Sequence, residues 1–294
     1  MRAVLGAVQR LGRVLLVPTL ALFTALVIGG LVIVFSDPDT LDEWGTFFAD
    51  PMGALRASWT LVSDSYEALF RSSLGSPAAI GRTLVETTPL ALAGLSVALA
   101  FRSGLFNIGA AGQLIVGAMC AAWVGFTFDL PSAVHVPLAV LAGALGGAAW
   151  GGIAGVLKAK TGAHEVITTI MLNYIAYRLL DYALGSTAFQ RPGRNDPISK
   201  PVAESARLPD VGLGELQFHA GLFVAIVAVV GVWWLLGSST VGFRMRSVGA
   251  NPSASRYAGM RVGATYILSM ALAGGLAGLA GTANILGRSS YSLT

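Results

Sequence analysis

The chain has 294 residues, 54% of them hydrophobic and 12% charged, with a formal net charge of +4, an isoelectric point near 9.5 and a mean hydropathy of +0.70. A water-soluble domain carries about twice that share of charge, so the composition excludes an ordinary soluble fold. One cysteine, Cys120, excludes an internal disulfide and a cysteine metal site.

A bilayer core of about 30 Å takes about 20 helical residues to cross. Residues 14–35, "VLLVPTLALFTALVIGGLVIVF", supply the first such run without a charge. Arg2, Arg10 and Arg13 precede it, as in a signal peptide. The run is too long for a signal core and no small-x-small cleavage site follows, so it reads as a retained span. Residues 36–77 include "DEWGTFFADPMGALRASWTLVSDSYEALF", which predicts amphipathic helices lying on the outer surface of the membrane. Further spans fall at about 79–101, 105–127, 133–156, 165–185, 218–236 and 263–287. The expected fold class is therefore all-α: a polytopic helical membrane protein of about seven spans, with 1–294 forming one transmembrane domain.

Polar and small residues mark particular places along these spans. Arg82 and Glu86 stand one turn apart near the start of the second. The stretch "AFRSGLFNIGAAGQLIVGAM", 100–119, crowds Gly104, Gly109 and Gly112 around Asn107 and Gln113. Glycine weakens a helix, and a broken helix at membrane depth survives only where protein or a wet cavity satisfies its backbone. Two readings fit: a tight turn at Arg102-Ser103-Gly104 with no further role, or a break whose amides line a path. Gly143, Gly147, Gly151 and Gly155 recur every fourth residue, and Gly274 and Gly278 repeat the spacing, which predicts close helix packing. In "TGAHEVITTIMLNYIAYRLLDY", 161–182, Glu165, Thr169 and Asn173 share one helix face, directed either at a cavity or at a neighbouring helix. Residues 186–217, rich in Pro, Gly and charge, read as a loop; this segment and 36–77 are either docking surfaces for an external partner or plain connections.

The segment 237–262 is longer than a mere connection needs. Its centre, "GANPSASRYAGM", reads as a miniature helix. Asn251 is an N-cap, Pro252 suits the first helical position, and Gly259 suits a left-handed stop. With the N-terminus in the cytoplasm, the inner segments hold Arg2, Arg10, Arg13, Arg102, Lys158, Lys160, Arg244, Arg246, Arg256 and Arg261 and almost no acid. The outer segments hold most of the acids, although 186–217 also carries Arg191, Arg194, Lys200 and Arg207. This orientation follows the positive-inside rule and attributes the basic isoelectric point to topology rather than to nucleic-acid binding. It puts the miniature helix on the cytoplasmic side, as a handle for a soluble partner.

The sequence contains no G-x-x-x-x-G-K-[ST]; no lysine follows a glycine. His135, His164 and His219 lie apart, and Thr168 stands where H-E-x-x-H would need its second histidine after His164-Glu165. No nucleophile–base constellation is evident, so enzyme is the weak hypothesis and no metal site is expected.

"GLFNIGAAGQLIVGA", "GAHEVITTIMLNYIA" and "RSVGANPSASRYAGM" resemble, in that order, signature segments of inner-membrane permeases of nucleoside ABC importers, within the group that includes ribose and branched-chain amino-acid permeases. The resemblance covers most of 79–287. It implies a multi-pass permease of the cytoplasmic membrane that moves nucleosides by alternating access. It would pair with a second permease, homologous or identical, with ATPase subunits that bind ATP and Mg, and with an extracytoplasmic substrate-binding protein; the chain itself would hold no cofactor. The resemblance also makes 237–262 the coupling loop, with Asn251, Pro252, Ser253, Ala254, Arg256, Tyr257 and Gly259 contacting the ATPase and Ser255 and Ala258 adding to its small-residue surface. Phe106, Asn107, Gln113, Thr169 and Asn173 would line the substrate path. Family members continue past the point matching Thr294, which implies a shortened chain. A ribose-type sugar permease is the nearest alternative; an ion-coupled secondary carrier and a membrane scaffold without a path are the others.

Overall fold

The computed structural model describes residues 2–194, 196–212, 214–287 and 291–293, with side chains from Leu16 onward. The side chains of Arg2, Arg10 and Arg13, and Thr294 with residues 288–290, lie outside the described residues. Among the described residues the helices run α1 (Arg2–Ser36), α2 (Pro38–Gly45), α3 (Pro51–Leu74), α4 (Pro77–Arg102), α5 (Ala110–Thr127) and α6 (Ser132–Thr161). They continue as α7 (Glu165–Leu184), α8 (Gly221–Ser238), α9 (Thr240–Ala250), α10 (Pro252–Tyr257) and α11 (Val262–Gly287). Six are long and apolar enough to cross a membrane: the Leu16–Ser36 part of α1, with α4, α5, α6, α8 and α11. This is a multi-pass helical membrane protein. The seventh expected span, α7, carries Arg178, Asp181, Thr168, Thr169 and Asn173 and is not among these six.

The chain divides after Ser76 into two compact units. In the first, Leu20, Phe23, Val27 and Leu31 of α1 are exposed, as suits a helix whose neighbours are acyl chains. Two further helices follow within 36–77, each with an aspartate cap. The Asp37 carboxylate accepts from the Thr40 amide at 2.9 Å and the Thr40 hydroxyl at 2.7 Å, and the hydroxyl above all holds its pKa below the usual carboxylate range. Asp50 accepts from the Gly53 amide at 3.0 Å. The Tyr66 hydroxyl of α3 donates to the Leu26 carbonyl of α1 at 2.5 Å, tying those helices together.

The second unit is built around α11, which packs on α6, α5 and α4. Glycine makes this possible. Gly147 of α6 lies against the backbone of Gly274 and Gly278, Gly151 against the Met270 carbonyl, and Gly117 of α5 against Gly278. A Cβ at any of these positions would overlap a neighbouring main chain. With no hydrophobic drive between helices in lipid, such close backbone approach supplies dispersion contact instead.

The segment between α7 and α8 is irregular, as its composition implies, but it is anchored. Val202, Ala206 and Leu208 are buried in a cluster with Ala121, Ala122, Ala139 and Leu286. Amides of Ser199, Val202 and Leu208 donate to carbonyls of Leu293, Tyr291 and Leu286 at 2.9–3.0 Å. His135 of α6, fully buried, meets the Ser205 hydroxyl at 2.8 Å through Nδ1 and the Val124 carbonyl at 3.1 Å through Nε2.

Candidate functional site

Helix α4 ends where the glycines predict. Gly104 adopts φ +71, its amide donates to the Phe101 carbonyl at 3.0 Å, and the Leu105 amide reaches back to the Ala100 carbonyl at 3.1 Å. This is a Schellman stop, which satisfies two carbonyls that a terminating helix leaves open. The chain then runs without helix from Leu105 to Gly109 before α5 begins. Side chains meet polar groups of this segment. Asn107 and Gln113 form a reciprocal amide pair: Asn107 Nδ2 donates to Gln113 Oε1 at 2.9 Å and Gln113 Nε2 donates to Asn107 Oδ1 at 3.0 Å. Asn107 Oδ1 also accepts from the Gly109 amide at 3.1 Å, and Nδ2 lies 3.3 Å from the Ser96 hydroxyl. Both residues are at most 2% exposed, so the pair satisfies amides that would otherwise be costly to bury.

Asn173 of α7 clamps the same segment from outside. Its Nδ2 donates to the Ile108 carbonyl at 3.0 Å and its Oδ1 accepts from the Gly112 amide at 2.8 Å. Buried Thr169, one turn earlier, abuts Gly109 and donates to the Glu165 carbonyl at 2.7 Å. Glu165 pairs with Lys158 at 2.7 Å across the Gly162 turn. Asn107, Gln113, Thr169 and Asn173 are therefore gathered around one break. Phe106 is not with them: it is 44% exposed and meets Phe101 edge-on at 4.7 Å.

Segment 237–262 holds more helix than its sequence suggests. Ser239 caps α9 by accepting from the Gly242 amide at 2.9 Å, and α9 runs to Ala250. Helix α10 then starts at Pro252 after an extended Asn251, whose Oδ1 accepts from the Ala254 amide at 3.0 Å. It stops with a second Schellman arrangement: Met260 to the Ser255 carbonyl at 2.9 Å, Gly259 to the Arg256 carbonyl at 3.0 Å, and Gly259 at φ +81. Pro252, Ser253, Ala254, Arg256 and Ala258 are exposed, and Tyr257 is 98% exposed. Ser255 departs from the expected small-residue surface. It sits on the inward side of α10 and is buried.

The break and the end of α9, the helix that leads into α10, meet at one turn. Gly249, two residues before the α10 cap, lies with its Cα about 3 Å from where a Gly104 Cβ would stand. The Ser269 hydroxyl of α11 donates to the Ser103 hydroxyl at 2.7 Å in the same turn. Neither contact is readable from sequence, because 145 and 166 residues separate the partners (249 − 104; 269 − 103).

Residues 79–294 match a family described as "Branched-chain amino acid transport system / permease component". The chain is 38% identical over 289 residues to the "Guanosine ABC transporter permease protein NupP" of Bacillus subtilis, covering 97% of this chain and 75% of that protein. It is 35% identical to the "Glucose ABC transporter permease protein TsgB13" of Haloferax volcanii, covering 92% and 67%. To the "Nucleoside ABC transporter permease protein NupB" of Lactococcus lactis subsp. cremoris it is 41% identical, covering 74% of this chain and 61% of that protein. No solved structure matches the chain.

Proposed function

The chain belongs to the family of branched-chain amino acid transport system permease components, and from that premise we propose that it is the transmembrane permease subunit of an ATP-driven ABC importer of nucleosides. The names of the Bacillus and Lactococcus relatives support the cargo. A sugar is the second reading, favoured by the glucose permease of Haloferax. ATP and Mg would be held by separate ATPase subunits, substrate would arrive from an extracytoplasmic binding protein, and a second permease would complete the path. The distribution of Lys and Arg supports a cytoplasmic N-terminus.

The observation that carries this reading is α10. A six-residue helix closed at both ends and exposed along one side has little to offer its own fold. It is the right shape for a peg held in a cleft of a soluble motor. When the motor closes, the peg moves with α9, and Gly249 bears on the Ser103–Gly104 turn at the end of α4. That turn leads into the break that Asn107, Gln113 and Asn173 hold together. The proposed stroke shifts the break, so that its amides and Phe106 face the route. Amides can exchange hydrogen bonds with a base or ribose, and an aromatic ring can stack on a base.

Two measurements test this. The chain co-purified with its ATPase and reconstituted in liposomes is expected to show ATP hydrolysis stimulated by binding protein loaded with guanosine. Stimulation by glucose-loaded binding protein and not by guanosine would move the cargo to sugars. For the path, Asn107→Ala and Asn173→Ala complexes that assemble normally are expected to take up guanosine at least about ten-fold more slowly, the effect of losing about 1.4 kcal/mol from the transported state. Wild-type uptake in both would remove these residues from the route.

A further inference from the structure

A cavity of about 450 Å³ opens between α9 and α11, beside α10. Arg244 and Arg261 line it, together with an apolar wall of Val241, Met245, Ala264 and Leu268. Its volume lies within the ordinary range for a small-ligand site. Neither guanidinium makes an ion pair or a side-chain hydrogen bond among the described residues. The sequence offers them nothing nearby: no Asp or Glu follows Glu215 in the chain. Both arginines are exposed at the rim of this space, where solvent screens their charge, and a phosphate oxygen pair suits their planar fork.

The depth of the cavity indicates which anion. Trp233 and Trp234, one turn from the end of α8, are both well exposed, as aromatic side chains are where a span leaves the hydrocarbon for the headgroups. Helix α9 begins two residues after α8 ends and shows Phe243 at its surface. Leu268, at the other edge of the cavity, is 42% exposed on a spanning helix. The cavity therefore runs from headgroup level, where the arginines sit, to a wall that acyl chains would meet.

We propose that this cavity binds the phosphate of an anionic phospholipid, with an acyl chain laid along Leu268. Because Ala258, Gly259 and Met260 also line it, the lipid braces the exit of α10. A carboxylate from a partner protein would satisfy the arginines but has no use for the apolar wall.

The test uses the full chain purified in neutral detergent, exposed to phosphatidylglycerol or phosphatidylcholine, with retained lipid counted by native mass spectrometry. Phosphatidylglycerol is expected to be preferred about five-fold for each arginine, about 25-fold if the two add. The preference should vanish in Arg244→Gln/Arg261→Gln and survive in reduced form in Arg244→Lys/Arg261→Lys, which keeps the charge and loses the planar fork, with excess inorganic phosphate failing to displace the lipid. Equal retention of the two lipids, unchanged preference in the glutamine variant, or displacement by free phosphate overturns the proposal. So does a glutamine variant that loses its ATPase while keeping its lipid, which would assign the cavity to a protein carboxylate.

Discussion

Gly278→Leu is expected to abolish the folded permease: in detergent extracts the monodisperse peak on size-exclusion chromatography should fall at least about ten-fold. Gly278 sits where three helices meet. A Cβ there would run into the Gly143 carbonyl and approach the Gly147 Cα at 3.0 Å, while Gly117 presses on its other side. These are main-chain atoms, so no rotamer change relieves the overlap, and α11 would have to move away from α5 and α6 together. Inserting even a few methylenes into a packed core costs about 1–3 kcal/mol, and here the backbone itself is displaced. A membrane bundle has no hydrophobic effect between helices to offset the lost contact. Gly231→Leu on α8 and Gly94→Leu on α4 are the controls, because nothing lies within 4 Å of a Cβ at either position. They should give near wild-type peaks. A normal peak for Gly278→Leu would mean that the glycine contacts do not hold the bundle.

That contrast also shows what a sequence can and cannot carry. The spacing of Gly143, Gly147, Gly151 and Gly155 marked a packing face on α6, and Gly274 and Gly278 marked another, because helical periodicity is local. That these two faces meet each other, and that Gly117 joins them, is a property of the assembled bundle. The spans were legible for the same local reason: each is an apolar run of about membrane length. So was α10, since Asn251, Pro252 and Gly259 state its start and stop in nine residues. Helix α9 was not. Its "TVGFRMRSVGA" carries two glycines and a threonine, and it is helical because Met245 and Val248 are buried against the body. The Asn107–Gln113 pair escaped for another reason. Six residues apart across a helix break, the two amides obey no period, and only the fold turns them toward each other. His135, which appeared isolated, finds Ser205 seventy residues away and turns a polar loop into an anchored strap.

The coupling assignment leads to the other large effect. Arg256→Ala/Tyr257→Ala is expected to lose ATPase subunits on affinity purification, with binding weakened about 30-fold or more, while the permease itself inserts and elutes normally. The first half follows from what α10 presents. Tyr257 is almost fully exposed and Arg256 stands beside it, and aromatic and arginine side chains dominate the energy of protein interfaces, where one such side chain buried by a partner contributes about 2 kcal/mol, a factor of about 30. The second half follows from what these two side chains do not do at home: neither makes an ion pair, and neither side chain hydrogen-bonds to the described residues. Their removal leaves the Asn251 cap, the Gly259 stop and buried Ser255 in place, so the peg keeps its shape and loses only its grip. Wild-type recovery of ATPase with the double variant would show that force enters this protein somewhere other than α10. The contact of Gly249 with the Ser103–Gly104 turn would then be packing, with no part in transport.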